Sequence, residues 1–138
     1  MKLLMIYCKH FAYTPTTKTI DLAHDKSESG EFQNIQTAFI QLEDEDRDRE
    51  GEVAKKLLKN LKWICGKNDT SKRIILHSFA HLSESKAPPE FTQSFLNSID
   101  QRLTASGYEV HQTPFGYFLD LQVDAPGFSL ARVFKSIE

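Results

Sequence analysis

The sequence predicts an α/β domain: a mixed β-sheet with two main helices packed on it and a short helix at its C-terminal end. Three observations carry this expectation. Two segments place apolar residues at helical spacing. Each is followed within a few residues by a short strand-like run. The 138-residue chain also holds 40% hydrophobic and 26% charged residues, an ordinary globular composition. At this length folding buries roughly two-thirds of the unfolded chain's surface, enough for one core without staples. No repeat or low-complexity linker divides the chain, so residues 1–138 read as a single domain.

Leu3 to Cys8 is a short apolar run suited to a strand buried on both faces. Phe11 to Ile20 is rich in threonine and aromatics and is broken by Pro15, as expected of a second, more exposed strand or hairpin arm. Asp21 to Gln33 reads as an irregular connection, and Ile35 to Leu42 as a strand. Between Glu43 and Glu50 six acids face two arginines. A solvated loop running into a helix is the expectation there, with a metal site as the alternative that no spacing supports. Val53, Leu57, Leu61 and Ile64 predict an amphipathic helix over Glu52 to Cys65, stopped by Gly66.

Arg73 to His77 reads as a central strand. Pro88-Pro89 opens a second helix whose buried face is Phe91, Phe95, Ile99 and Leu103, and Gly107 ends it. Tyr108 to His111 and Tyr117 to Val123 read as strands around a Thr113 to Gly116 turn, and Phe128 to Ile137 as the terminal helix. Because each long helix is followed by a strand, crossover connections are expected.

Charge and cysteine content narrow the function classes. Seventeen Lys and Arg against nineteen Asp and Glu give a formal charge of −2, so a uniformly basic nucleic-acid coat is excluded and RNA binding needs a local patch. Cys8 and Cys65 have no metal-type spacing and make no disulfide scaffold. The expected compartment is a reducing cytoplasm. No apolar run approaches the roughly 20 residues that span a bilayer. The apolar start from Leu3 is cut by Lys9-His10, too soon for a signal peptide.

Three local features bear on chemistry. His77-Ser78-Phe79-Ala80-His81-Leu82-Ser83 carries a buried strand into a loop, and functional groups in α/β folds commonly sit just past strand ends. His81 suits an acid, a base or a steric gate there, and a hydrogen-bonded loop histidine is the bland alternative. The four-residue spacing of His77 and His81 does not put both on one face of a strand, which argues against a metal pair. Thr113-Pro114-Phe115-Gly116-Tyr117-Phe118 is an aromatic-crowded turn, either a core plug or a wall for a base or sugar. Gly127-Phe128-Ser129-Leu130-Ala131-Arg132 offers backbone N–H groups to an anion, as almost every helix start does. There is no P-loop, dinucleotide glycine pattern or nucleophile elbow.

Taken together, Phe79-Ala80-His81-Leu82-Ser83 before a proline-opened helix, Gly107-Tyr108-Glu109-Val110, Pro114-Phe115-Gly116-Tyr117, and Gly127 with Leu130-Ala131 resemble the editing domain of archaeal-type threonyl-tRNA synthetase. Met1 to Tyr7 and Ala38-Phe39-Ile40 fit as well, so the resemblance covers nearly the whole chain. It implies a D-aminoacyl-tRNA deacylase-like fold, a homodimer, and hydrolysis of serine wrongly esterified to threonine tRNA. It implies no metal and no cofactor. The implied partners are the tRNA 3′ end, as aminoacyl-adenosine, and a threonyl-tRNA synthetase catalytic module in cis or trans, with no membrane. By the resemblance, Ala80 and His81 carry the catalytic loop. Ser78, Phe79, Phe115, Gly116, Tyr117, Phe118, Leu119 and Arg132 bind substrate.

Three positions depart from the family pattern. The family has tyrosine and lysine where this chain has Phe118 and Leu119, and glutamate where it has Arg132. Leucine cannot stabilise an oxyanion, and arginine stays protonated and cannot act as a base. Arg132 supplying the missing cation, with Asp120 or Asp124 accepting a proton, is one rescue, although strand alternation turns Asp120 away from Leu119. The alternative function is a module that binds the tRNA 3′ end or an aminoacyl nucleotide without hydrolysis, or a dimerising appendage of the synthetase.

Overall fold

A computed structural model describes residues 1–25 and 27–138. Its elements are β1 (Lys2–Lys18), β2 (Gly30–Gln41), a 3-10 turn (Asp44–Arg49), α1 (Glu50–Asn68), β3 (Arg73–Ser78), α2 (Pro89–Ala105), β4 (Glu109–Gln112), β5 (Tyr117–Asp124), a short 3-10 turn (Ser129–Ala131) and β6 (Arg132–Ser136). The sheet runs β4-β3-β2-β1-β5, and β6 also pairs with β1. Both helix crossovers are parallel, β2 to β3 through α1 and β3 to β4 through α2, as the strand-after-helix order predicts.

The helices cover one face of the sheet. There Leu3, Met5, Ala38, Ile40, Ile74 and Leu76 meet Leu57, Leu61, Ile64, Phe95, Ile99 and Leu103 in one buried cluster. The alternate residues Phe11, Ile35, Phe39 and Ile75 form a second cluster on the opposite face. Burial of β3 on both faces matches its short, continuously apolar sequence.

The sheet is strongly coiled, and chain length makes it so. Gln112 lies in register, through Leu76 and Ala38, with Met5 of β1, whereas Tyr117 pairs with Lys18. In a flat sheet those points on β1 stand about 40 Å apart. Only Thr113 to Gly116 join β4 to β5, and five Cα steps reach about 18 Å at most. The C-terminal half of β1 and its partner β5 therefore curl back over the sheet, placing Leu121 against the cluster that holds Phe39 and Phe79.

Five expectations are corrected. First, the two N-terminal strands are one continuous strand, and Pro15 is accommodated beyond Tyr13, where β1 pairs with β5 alone and its register shifts. A proline lacks the N–H that a second ladder would need. Second, the irregular connection expected over Asp21 to Gln33 is shorter, because β2 starts at Gly30; Lys26 within it lies outside the described residues. Third, α1 runs past Gly66 to Asn68 and ends on Asp69 at φ 50°, whose N–H donates to Cys65 O. The Asn68 side chain ties that last turn to Gln36 Oε1 and Leu130 O, both at 3.0 Å.

Fourth, the C-terminal helix is absent. Phe128 to Ile137 forms a 3-10 turn and then β6, which pairs with Lys2–Ile6. Since β5 reaches only His10 to Lys18, the other edge of the N-terminal half of β1 would otherwise hold unpaired backbone groups. Fifth, the acidic run is not wholly solvated. Glu43 and Asp46 are buried and hold the buried Met1 ammonium at 2.8 and 3.1 Å, with Arg49 3.2 Å from Asp46. Burial works against the charged Glu43 carboxyl, but hydrogen bonds from that ammonium and from Ser83 hold it below the usual glutamate value.

Candidate functional site

The coiling brings two distant stretches of sequence together. Beyond β3 the chain enters a loop, Phe79 to Ala87, fastened to the end of β2. Phe79 N–H donates to Ile40 O and Ala87 N–H to Leu42 O, both at 3.0 Å. Between those points the buried Gln41 side chain takes four backbone partners. Its oxygen accepts from the Leu82 and Ser83 amides at 2.6 and 2.9 Å. Its nitrogen donates to the Ser83 and Ser85 carbonyls at 2.9 and 3.0 Å. The Ser83 hydroxyl donates to Glu43 at 2.7 Å, linking the loop to the buried ion cluster.

The opposing wall is the turn into β5. Thr113 N–H donates to Leu76 O at 3.1 Å, and its hydroxyl shares a 2.9 Å hydrogen bond with His77 Nδ1. Gly116, at φ 80°, turns its carbonyl to the Thr19 amide and hydroxyl at 2.7 and 2.8 Å. The Tyr117 hydroxyl donates to His24 O.

Between the walls lies a cavity of about 350 Å³. Ser78, Phe79, Ala80, His81, Phe115, Gly116, Tyr117, Phe118 and Leu119 all line it, so nine of the ten residues nominated from sequence share one site. Arg132 does not. It projects from β6 with its guanidinium on Pro126 O at 3.3 Å and is absent from the lining. The rescue in which Arg132 replaces the lysine missing at Leu119 is therefore not built here.

An aromatic ladder orders the loop wall. Phe79 meets Phe39, His77 and His81 at centroid distances of 5.1, 5.7 and 5.2 Å. His81 is exposed at the rim, with its ring edge-on to Phe79. The Ala80 and His81 amides have no protein acceptor among the described residues, which leaves two adjacent N–H donors for an oxyanion or carbonyl.

Gln41 and Lys86 are among the lining residues that escaped the sequence reading. Gln41 ends an apolar strand, a position where a buried polar side chain is informative only once its partners are known. Lys86 places a cation at the lip of the cavity, but it sits in a polar loop without a motif. Among the described residues no group of three or more His, Cys, Asp or Glu is arranged for a metal, and no helix is long and apolar enough to cross a membrane.

Burial pushes the His77 imidazole down from 6.5 to about 4, so it stands neutral beneath the cavity and is not a proton carrier near pH 7. Above pH 6.5 this costs nothing. As pH falls through the interval to 4, the unfolded chain binds the proton first, and up to about 3 kcal/mol of stability is lost. Urea denaturation across that range is expected to show the loss, and His77→Gln, which does not titrate, to flatten it. Equal slopes in both proteins would rule this assignment out.

A family model, the archaea-specific editing domain of threonyl-tRNA synthetase, matches residues 1–137. Threonine–tRNA ligases are among the relatives. That of Thermofilum pendens is 29% identical over 143 residues, covering 100% of this chain and 23% of the ligase. That of Nitrosopumilus maritimus is 31% identical over 139 residues, covering 99% and 21%. The chain thus spans between a fifth and a quarter of these relatives' length. Among solved structures, the c-Myc DNA Unwinding Element Binding Protein superposes with a TM-score of 0.68 at 13% identity, covering 100% of this chain and 99% of that one. That likeness shows the fold alone, the α/β arrangement of a mixed sheet with two main helices that the sequence leads one to expect.

Proposed function

This chain belongs to the archaea-specific family of threonyl-tRNA synthetase editing domains, and on that premise we propose that its cavity receives the mischarged 3′-terminal adenosine of threonine tRNA and hydrolyses the serine ester. The observation that carries the reading is that the loop at Phe79 to His81 and the turn at Phe115 to Tyr117 wall one cavity. Proofreading answers a physical limit. A pocket that accepts threonine also holds serine, since one methyl changes binding by only about 1–3 kcal/mol. A second site that excludes the larger side chain removes the error.

The chemistry asks little of side chains. Water adds to the ester carbonyl, the bond to the ribose oxygen breaks, and that oxygen takes a proton, releasing serine and free tRNA. The Ala80 and His81 amides face the developing oxyanion. Phe79 and Tyr117 bracket the base and sugar, and His81 stands at the rim as the gate. With Leu119 apolar, Lys86 is the ammonium available to the lip of the site. The implied setting is cytoplasmic, as a homodimer, beside a synthetase catalytic module in cis or trans.

A second reading, binding without hydrolysis, is favoured by Leu119 occupying the lining where the family has lysine, and by Arg132 lying elsewhere. One assay separates them. Purified domain is expected to deacylate seryl-threonine-tRNA faster than buffer, with Lys86→Met lowering the rate on the order of 10-fold or more. A rate equal to buffer, together with binding of a non-hydrolysable seryl-adenosine analogue, would establish the second reading and end the first.

A further inference from the structure

A further concavity lies on the outer side of α1, where that helix meets β6. A groove of about 600 Å³ is lined by Lys56, Lys59, Trp63, Lys135 and Ser136, with one acid, Glu138, at its edge. Its charge is at odds with the rest of the chain. The protein carries a net −2, yet α1 holds five lysines and no acid after Glu52. Lys56 is engaged by Glu52 at 3.1 Å and donates to Glu138 O at 2.7 Å. Lys59 and Lys135 have no carboxylate partner among the described residues. Lys135 is nevertheless held in place, its Nζ 5.7 Å from the centre of the half-exposed Trp63 ring. Such an ammonium is ordered by a π face and is free to meet an anion.

The groove opens at the same end of the sheet as the cavity. Ser136 pairs with Lys2, and Lys2 pairs with Gln41, so two strand spacings, about 10 Å, separate a groove residue from a cavity residue. Lys2 bridges the interval, its Nζ 2.6 Å from Ser136 Oγ and 3.8 Å from Glu43.

We propose that this lysine–tryptophan groove is a docking site for the phosphate backbone of single-stranded RNA. Resting on the function proposed above, it holds the unpaired nucleotides that lead to the adenosine in the cavity. Charge complementarity selects the occupant. Two ammonium groups without a carboxylate partner, Lys59 and Lys135, beside an indole suit a polyanion with stacking bases, and a local basic patch is what RNA binding requires of a chain that is acidic overall.

The test uses the full chain with Lys59→Glu and Lys135→Glu combined, both on exposed positions, and Lys59→Arg with Lys135→Arg as the control that keeps charge. Two probes are titrated: a fluorescent oligoribonucleotide ending in CCA, and a non-hydrolysable seryl-adenosine analogue without backbone phosphates. The charge reversal is expected to weaken RNA binding at least 10-fold and to reduce the salt slope by about 1.4, roughly 0.7 for each phosphate that is no longer neutralised. Analogue affinity is expected to stay unchanged, and the arginine pair to bind RNA as the native chain does. RNA affinity and salt slope that survive charge reversal overturn the groove and leave the cavity reading standing. Lysine-dependent RNA binding with no analogue binding does the reverse. A chain that binds neither probe overturns both.

Discussion

Gln41→Ala is expected to destabilise the domain by about 2–4 kcal/mol and to cost most of any hydrolytic activity. Its carboxamide, 3% exposed, is the shared partner of two amides and two carbonyls in the loop that carries Ala80 and His81. A buried group left without its partner costs about 1–3 kcal/mol, less where water can reach it, and these four sit partly buried. Calorimetry should register a fall of about 10 °C in Tm. Gln41→Glu separates packing from hydrogen bonding. It keeps the acceptor for the Leu82 and Ser83 amides but sets a carboxylate against the Ser83 and Ser85 carbonyls, so it should recover only part of the loss. An unchanged Tm in Gln41→Ala would mean that the Ile40 and Leu42 anchors hold the loop unaided.

Gly116→Ala should be comparably severe, for two independent reasons. The residue sits at φ 80°, where a side chain costs roughly 1–2 kcal/mol. An added Cβ would also stand 2.6 Å from Ile20 Cγ1 and 2.8 Å from Ala23 Cβ, and overpacking of that kind costs about 1–3 kcal/mol. Relief requires the turn to move, and the turn is one wall of the cavity. The expected result is a loss of about 2–5 kcal/mol in urea denaturation together with weakened binding of the seryl-adenosine analogue. Gly107 provides the comparison. It has φ 90° but open space around its Cβ, so Gly107→Ala should show the backbone strain alone and leave the cavity intact. If the two variants lose equal stability, the close approach at Gly116 carries no cost.

The local elements were readable because their causes are local. Val53, Leu57, Leu61 and Ile64 repeat at the helical period and are all buried. Pro89 opens α2, and Gly107 adopts the positive φ that follows its end. The loop at Phe79 to His81 and the turn at Phe115 to Tyr117 were each visible as local features, and it was the family resemblance that paired them. The misreadings share a different cause. Arg132 to Ser136 is a strand because the N-terminal half of β1, more than 120 residues earlier, offers it an open edge. Glu43 and Asp46 look like solvent-facing acids until the Met1 ammonium arrives between them.

From sequence alone came the α/β class, the two crossover helices, the family resemblance, and nine of the residues that surround the cavity. Folding in three dimensions settled that these residues meet, that Arg132 stays away from them, and that Gln41 and Lys86 join them. The reason is physical. Periodicity and turn chemistry act over a few residues and leave their mark in a short window. A cavity wall depends on how far a 17-residue strand coils and on which distant carbonyl a carboxamide meets. Those are properties of register and closure, which no short stretch of sequence contains.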